Sequence, residues 1–343
     1  MENNKNKKNI AAIIIIFSII CLIISLFLPS STTIATKELT SLKSSGYFPF
    51  KSLHTTTPFK DEHISVIRID GIISDSPSVS LFRDLTSSST ALELIKKVTE
   101  DKSSKGLVIR INSPGGTVAA SQELYEAIRK AKKEKPVVIT MGDIAASGGY
   151  YIAAAGDTIF ANPGTITGSI GVITSYINVH QLFTMYGLEG VTIKSGKYKD
   201  IGSPTRPMTE EERKILQSLL DDSYHQFISD VASGRNIPIE KVSKLAEGLI
   251  YTGKQAKNKG LVDFIGDYSK ALKHTQKLVK KRFPDLARKY KNKDIPIQET
   301  WRGTSFIDLL IGAVNHISPK SSLELKLLKP YTYSKFQPLW LLE

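Results

Sequence analysis

Apolar and polar positions change along the chain in blocks typical of strands and helices in alternation. Short β-branched or apolar runs predict strands at 64–69, 107–111, 136–141, 158–160 and 191–194. Helical spacing of apolar residues predicts helices at 90–101, 118–133, after Ser147, at 179–186 and at 209–233. Thr209 is a favoured N-cap residue, and three glutamates follow it in the first turn. Strands that alternate with helices predict an α/β domain built on a parallel sheet.

One segment, residues 10–28, departs from this pattern because it is apolar throughout. Its 19 residues carry no charge, and as a helix they would span roughly 28 Å, close to the thickness of a bilayer's hydrocarbon core. Lysines within residues 1–9 precede it and Ser/Thr-rich sequence follows, which predicts a cytoplasmic N-terminus and an extracytoplasmic remainder. A cleaved signal peptide is the alternative, but the length of the run favours a retained single-pass anchor in the cell membrane.

Composition divides the rest of the chain into a tether at 29–62, the α/β domain at 63–267 and a basic C-terminal extension at 268–343. The extension holds 15 Lys/Arg against 6 Asp/Glu, or +9 of the chain's +13. With no nucleic-acid-binding motif present, this charge indicates a solvated helix face or attraction to anionic lipid. The apolar clusters of its tail are compatible either with packing in the core of the monomer or with a contact to a neighbouring subunit. The single cysteine, Cys21, lies in the apolar run, which excludes disulfides within the chain.

The segment GDIAASGGYY, residues 142–151, places Ser147 where a strand ends and a helix begins. A serine at a helix N-terminus lies in a positive field that favours developing negative charge. The alternative for an isolated serine is a simple N-cap.

Three further motifs accompany it. In NSPGGTV, residues 112–118, a glycine pair between a strand and a helix leaves backbone N–H groups open to a ligand. TGSIGV, residues 167–172, interrupts an apolar segment, and GKYKDIGSPTRPMT, residues 196–209, forms a lysine-rich loop. Each motif also has a simple structural interpretation: an ordinary βα turn at 112–118, a bent strand at 167–172, and surface charge at 196–209.

A serine nucleophile needs a base to remove its proton. The six histidines lie outside these motifs, and His180 and His225 have no partners at ligand spacing, so neither a Ser–His pair nor a metal site is predicted. A lysine can act as the base only when it is neutral, which requires burial that lowers its pKa from about 10.4. Spacing alone leaves Lys194, Lys197 and Lys199 as candidates.

The four motifs together resemble the signal peptide peptidase A family of membrane-attached serine proteases, over residues 64–267. The resemblance implies a Clp-protease/crotonase-like βα superhelix and a dyad of Ser147 with Lys199. It also implies a hydroxyl at Ser169 near the lysine, and oxyanion-binding amides near Gly115, Gly116 and Gly148. Asp200 beside Lys199 would raise the lysine's pKa, although adjacent side chains of an extended segment point in opposite directions.

The family further implies a homo-oligomeric ring that binds extended hydrophobic peptides, such as released signal peptides, at the membrane. No cofactor, metal or nucleic acid is expected. Two other classes stay open: a crotonase-like acyl-CoA enzyme, which would not need Ser147 or an anchor, and a non-catalytic membrane scaffold of the same fold.

Overall fold

The computed structural model describes residues 61–75, 88–299 and 339–341, the last three by their backbone. Within these residues an eight-stranded sheet and a two-stranded sheet are present. The strands are β1 (His63–Asp70), β2 (Ser104–Ser113), β3 (Gly115–Thr117), β4 (Val137–Ala146), β5 (Thr158–Ala161), β6 (Ile166–Gly168), β7 (Ile250–Thr252), β8 (Phe264–Ile265), β9 (Ile297–Glu299) and β10 (Leu339–Leu341). The helices are α1 (Ser88–Glu100), α2 (Val118–Glu134), α3 (Gly148–Ala154), α4 (His180–Met185), α5 (Glu210–Arg235), α6 (Ile239–Ser243), α7 (Gly253–Asn258), α8 (Tyr268–Arg282) and α9 (Pro284–Lys289).

The main sheet has the order β7-β6-β4-β2-β1-β9, and its pairs are parallel except β6 with β7. Strand β4 has two partners along one side: its first half pairs with β5, which pairs with β8, and residues 144–146 pair with β6. Strand β4 therefore extends beyond its pairing with β5 and ends at Ala146, directly before Ser147.

Helices cover both faces of the sheet, as a parallel sheet requires. Side chains alternate between the faces, so Leu107 and Ile109 join the larger core with α1, α2, α3 and α5. Val108 and Val138 face the opposite side and pack with Ala271 of α8 in a smaller core. The first part of the predicted C-terminal extension therefore contributes α8, α9 and β9 to the packed fold, while the domain boundaries themselves stay a prediction.

The α/β class and most predicted elements are confirmed. The predicted cap is present: the Thr209 hydroxyl accepts from the Glu212 N–H, and the Glu212 carboxylate accepts from the Thr209 N–H at 2.9 Å. The strand predicted at 191–194 is wrong. That segment is irregular and Ile193 is 98 % exposed, because no neighbouring strand pairs with it among the described residues.

The predicted anchor at 10–28 and nearly all of the predicted tether lie outside the described residues. Within the part of the chain that is described, none of the helices has both the length and the apolar character needed to span a bilayer.

Candidate active site

Ser147 occupies a sharp turn between β4 and α3. Its backbone has φ 51° and ψ −119°, a conformation that residues with side chains rarely adopt and that clusters at functional sites. The Ser147 N–H donates to the Gly168 carbonyl, and the Ser147 carbonyl accepts from the Tyr151 N–H, both at 2.8 Å. The N-cap alternative is wrong, because the side chain accepts no hydrogen bond from the helix.

The Ser147 hydroxyl is buried yet has no hydrogen-bond partner among the described residues. Buried hydroxyls almost always have one, and leaving one unpaired costs about 1–3 kcal/mol. An unpaired hydroxyl on a strained turn is a feature of reactive sites. Both the backbone strain and the unpaired hydroxyl destabilise the fold, so stability does not explain why they are present.

The glycine-rich strand β3 lies directly against the start of α3. A Cβ added to Gly148 would lie 2.6 Å from Ser121 Oγ and 3.1 Å from the Gly116 nitrogen, so a side chain does not fit. The Gly115 N–H donates to Ser113 Oγ at 3.1 Å. Of the three predicted oxyanion amides, that of Gly115 is therefore already engaged, and the Gly116 nitrogen lies close to the first residue of α3.

Ser169 lies close to the nucleophile turn along the backbone. It follows Gly168, whose carbonyl receives the Ser147 N–H, and its own N–H donates to the Leu249 carbonyl at 2.8 Å. Ser169 also has positive φ, at 48°, and is largely buried. The sequence motif thus forms a second strained turn beside the first.

Lys199 lies in a turn that spans residues 196–203. The Lys199 N–H donates to the Gly196 carbonyl at 3.2 Å, and the Ser203 N–H donates to the Asp200 carbonyl at 3.0 Å. The lysine is exposed, and its side chain forms no hydrogen bond or ion pair with any described residue. A single chain therefore does not bring Lys199 into hydrogen-bonding contact with Ser147.

The Asp200 carboxylate pairs with two cations, neither of which is the neighbouring Lys199. Its carboxylate accepts from the Arg206 guanidinium at 2.8 and 2.9 Å and also contacts the Lys194 ammonium. The hydrogen bonds from Arg206, and then those from Lys194, hold the pKa of Asp200 well below its usual range. Lys194, one of the three candidate bases, is thereby engaged in an ion pair.

Lys197, the remaining candidate, is also paired. Its ammonium contacts the Glu211 carboxylate, which also accepts from the Tyr198 hydroxyl. The hydrogen bond that Lys197 donates to Glu211 raises the pKa of the lysine, so this side chain is not poised as a base. Among the three lysines, Lys199 alone has no anionic partner in the described part of the chain.

The segment that carries Lys199 exposes an unusual amount of apolar surface. Ile177, Met185, Tyr186 and Val191 are each three-quarters or more exposed, in addition to Ile193. Exposed apolar patches on this scale mark contact surfaces. Residues 173–193, the apolar arm, form a candidate interaction surface immediately before the lysine turn.

Strand β10, from the C-terminal tail, lies antiparallel to β3. Its register pairs Trp340 with Gly116 and Leu341 with Gly115. One side of β3 bonds to Ile73, and the other side pairs with this extended chain, next to the turn that bears Ser147. Within the described residues, no group of three His, Cys, Asp or Glu side chains is arranged to hold a metal ion.

Comparisons with known proteins first identify the class. A family model described as Clp protease matches residues 77–166, which include β2 to β5 and Ser147, so the fold is Clp-protease-like. A model described as peptidase family S49 matches residues 129–282, from the end of α2 through α8.

The relatives narrow this class to one family. The chain is 44 % identical to "Putative protease slr0021" of Synechocystis sp. over 61 % of its own length and 73 % of that protein. It is 38 % identical to "Putative signal peptide peptidase SppA" of Enterococcus faecium over 72 % of each chain. It is 36 % identical to "Serine protease SPPA, chloroplastic" of Arabidopsis thaliana over 61 % of its own length and 30 % of that protein. The chain belongs to peptidase family S49, the signal peptide peptidase A family, and is a serine protease.

Sequence reasoning missed Arg206, which joins two carboxylates at the site. Its position is a usable signal, because Asp200 and Glu212 lie six residues before and six residues after it. The pairing of β10 with β3 had no such signal.

Proposed function

We propose that the chain is a membrane-anchored endopeptidase that cleaves hydrophobic peptides, including signal peptides, with Ser147 as nucleophile and Lys199 as base. The observation that carries the proposal is the buried, unpaired Ser147 hydroxyl on a strained turn. Membership of a serine protease family supports the assignment of the nucleophile.

In the proposed reaction, Ser147 Oγ attacks the scissile carbonyl carbon while the neutral Lys199 amine takes the hydroxyl proton. The peptide carbonyl becomes an oxyanion, for which the amides of Gly116 and Gly148 are the proposed donors. One such donor typically lowers the barrier by about 3 kcal/mol. The lysine ammonium then protonates the leaving amine, and a water molecule, deprotonated by the same lysine, releases the acyl group from Ser147.

The lysine is proposed to come from a second copy of the chain. In one chain Lys199 is exposed and does not contact Ser147, and the apolar arm at 173–193 offers a surface for subunit contact. Burial of that surface would remove water from the lysine and favour its neutral form. A homo-oligomeric ring provides this arrangement at every site.

The substrate is proposed to bind as an extended strand beside β3. The pairing of β10 with this strand supports the mode, because it places an extended chain next to Ser147. The bound tail sequence is Leu339-Trp340-Leu341, and a relative carries the name signal peptide peptidase. Both favour apolar peptides as substrates.

The membrane anchor and the extracytoplasmic site rest on the sequence of residues 10–28 and the lysines before it. A substrate released within the bilayer or at its surface would then meet the enzyme in the same membrane.

The test uses two inactive variants of the full-length chain in detergent, Ser147→Ala and Lys199→Ala, assayed on quenched hydrophobic peptides. Each alone is expected to lose activity by several orders of magnitude. After dissociation and reassembly together, the mixture is expected to recover activity, because some sites then combine an intact serine with an intact lysine. Inactive mixtures would place the dyad within one chain. Activity in either variant alone would remove that residue from the mechanism, and acyl-CoA binding without peptide cleavage would favour the crotonase-like class.

A further inference from the structure

We propose that Arg206 is a positioning residue for the Lys199 base. It holds the lysine turn in place and prevents the neighbouring Asp200 carboxylate from stabilising the protonated amine. This inference rests on the function proposed above, in which Lys199 accepts the serine proton.

Arg206 binds both the side chain and the backbone of Asp200, in the turn that carries Lys199. Its Nε and Nη2 donate to the two carboxylate oxygens of Asp200, and Nη2 also donates to the Asp200 backbone carbonyl at 3.1 Å. That carbonyl belongs to the residue directly after Lys199. A planar guanidinium can make such a forked contact, whereas a lysine ammonium cannot.

Arg206 also connects the lysine turn to helix α5. Arg206 Nη1 donates to Glu212 Oε2 at 2.9 Å. Glu212 lies in the first turn of α5, its side chain is only 4 % exposed, and it accepts from the Thr209 N–H. The arginine therefore fastens the lysine turn to the capped end of a 26-residue helix.

The charges of the cluster around Arg206 cancel. Two cations, Lys194 and Arg206, face two carboxylates, Asp200 and Glu212, so the cluster has a formal charge of zero. Without Arg206 the cluster would carry a net negative charge beside Lys199. Such a charge favours the ammonium form, which cannot accept a proton.

The other charged groups on this loop cannot replace the positive charge of Arg206. Lys197 pairs with Glu211, and Tyr198 donates to the same carboxylate. This pair lies on the exposed side of the loop and is neutral by itself.

The experiment measures kcat/KM for a hydrophobic peptide against pH, with the full-length enzyme and its variants. Activity of the wild type is expected to rise with pH as the base loses its proton. In Arg206→Gln the midpoint of this rise is expected to move up by about one pH unit, which lowers activity at neutral pH by about tenfold. The double variant Asp200→Asn/Arg206→Gln is expected to return to the wild-type midpoint, because the uncompensated carboxylate is gone.

Arg206→Lys separates charge from geometry. It keeps the positive charge, so the midpoint is expected to stay, while the loss of the fork lowers kcat severalfold at every pH. Arg213→Gln is the matched control, since Arg213 forms only an exposed ion pair with Glu210. It is expected to leave both values unchanged.

An Arg206→Gln profile with the wild-type midpoint, or a double variant that does not recover it, would overturn the proposal. If Arg206→Gln does not fold, Asp200→Asn decides: the midpoint must move down, because Lys194 and Arg206 then lose an anionic partner. A midpoint that stays or rises contradicts the charge argument. Lys199→Ala is run alongside, and activity in that variant would show instead that the proposed base is wrong.

Discussion

The Ser147 N–H donates to the carbonyl of Gly168 at 2.8 Å, and this bond joins two turns with unusual backbone angles. Ser147 has φ 51° on one side, and Ser169 has φ 48° on the other. The bond continues the pairing of β4 with β6, which ends at Ala146 and Gly168. The nucleophile is therefore positioned by a sheet that extends one residue beyond its last strand pair.

Replacing Ser147 with alanine is expected to abolish peptide cleavage and to preserve or increase stability. The substitution removes a buried hydroxyl that has no partner among the described residues, so the desolvation penalty of about 1–3 kcal/mol disappears. Thermal unfolding and peptide cleavage, measured on the same sample, check both parts. Ser65→Ala is the contrast, because the Ser65 hydroxyl bonds to Ser104 Oγ at 2.8 Å, and its loss is expected to lower Tm. A lower Tm in Ser147→Ala would show that the hydroxyl is structurally engaged.

The sequence was sufficient for the sheet and the serine because both depend on local patterns. Buried β-branched runs define β1, β2 and β4, and small residues around Ser147 mark a turn that needs close backbone contact. The strand predicted at 191–194 is wrong because an apolar pattern does not show whether the residues pack against a core or lie on a surface. Val191 and Ile193 are exposed in the single chain, where a strand would need a partner.

Long-range pairings were beyond the sequence for a different reason. The contact of β10 with β3 joins residues separated by more than two hundred positions, and no local preference encodes it. The Arg206 cluster has a signal in its spacing, because Asp200 and Glu212 lie six residues to either side of Arg206. That spacing does not encode the fold of the loop, which brings the three side chains into contact.

Gly148→Ala is expected to reduce kcat by about one to two orders of magnitude while the fold is retained, because the added methyl group displaces the start of α3 from β3. The closest obstacle is the Ser121 hydroxyl, whose oxygen lies 2.6 Å from the place that the methyl carbon would take. Gly164→Ala is the matched control, since nothing lies within 4 Å of a Cβ there. Steady-state kinetics and Tm are the measurements.

A second substitution tests the cause of that loss. Ser121→Ala in the Gly148→Ala background removes the obstructing oxygen and is expected to restore part of kcat. Equal activity with and without the Ser121 hydroxyl would show that the contact with the β3 backbone is the limiting one.

Glu212 is expected to stabilise the fold at neutral pH and to lose this effect in acid. Hydrogen bonds from Arg206, and then from the Thr209 N–H, lower the pKa of Glu212 to about 2 from an ordinary 4.5. A carboxylate with a depressed pKa contributes its full stabilisation above the unfolded value and loses it as pH falls through the folded value. The Tm difference between wild type and Glu212→Gln is therefore expected to be constant above about pH 5 and to shrink between pH 4.5 and 2.

Glu210→Gln provides the comparison for that series, because the Glu210 side chain is 82 % exposed. Its Tm is expected to follow the wild type at every pH. A Glu212→Gln difference that does not change with acid would assign the effect of Glu212 to packing and not to its charge.

Removal of residues 339–343 is expected to lower the apparent KM for peptides severalfold with little change in kcat. Strand β10 occupies the side of β3 on which a substrate strand would lie, and a tethered segment competes at an effective concentration of about millimolar. Trp340→Pro serves as a second route to the same state, because proline cannot donate to a strand ladder. Peptide titrations of the truncated, substituted and wild-type enzymes measure the effect. If both variants keep the wild-type KM, the tail strand and the substrate use different surfaces, and the peptide must approach Ser147 without pairing to β3.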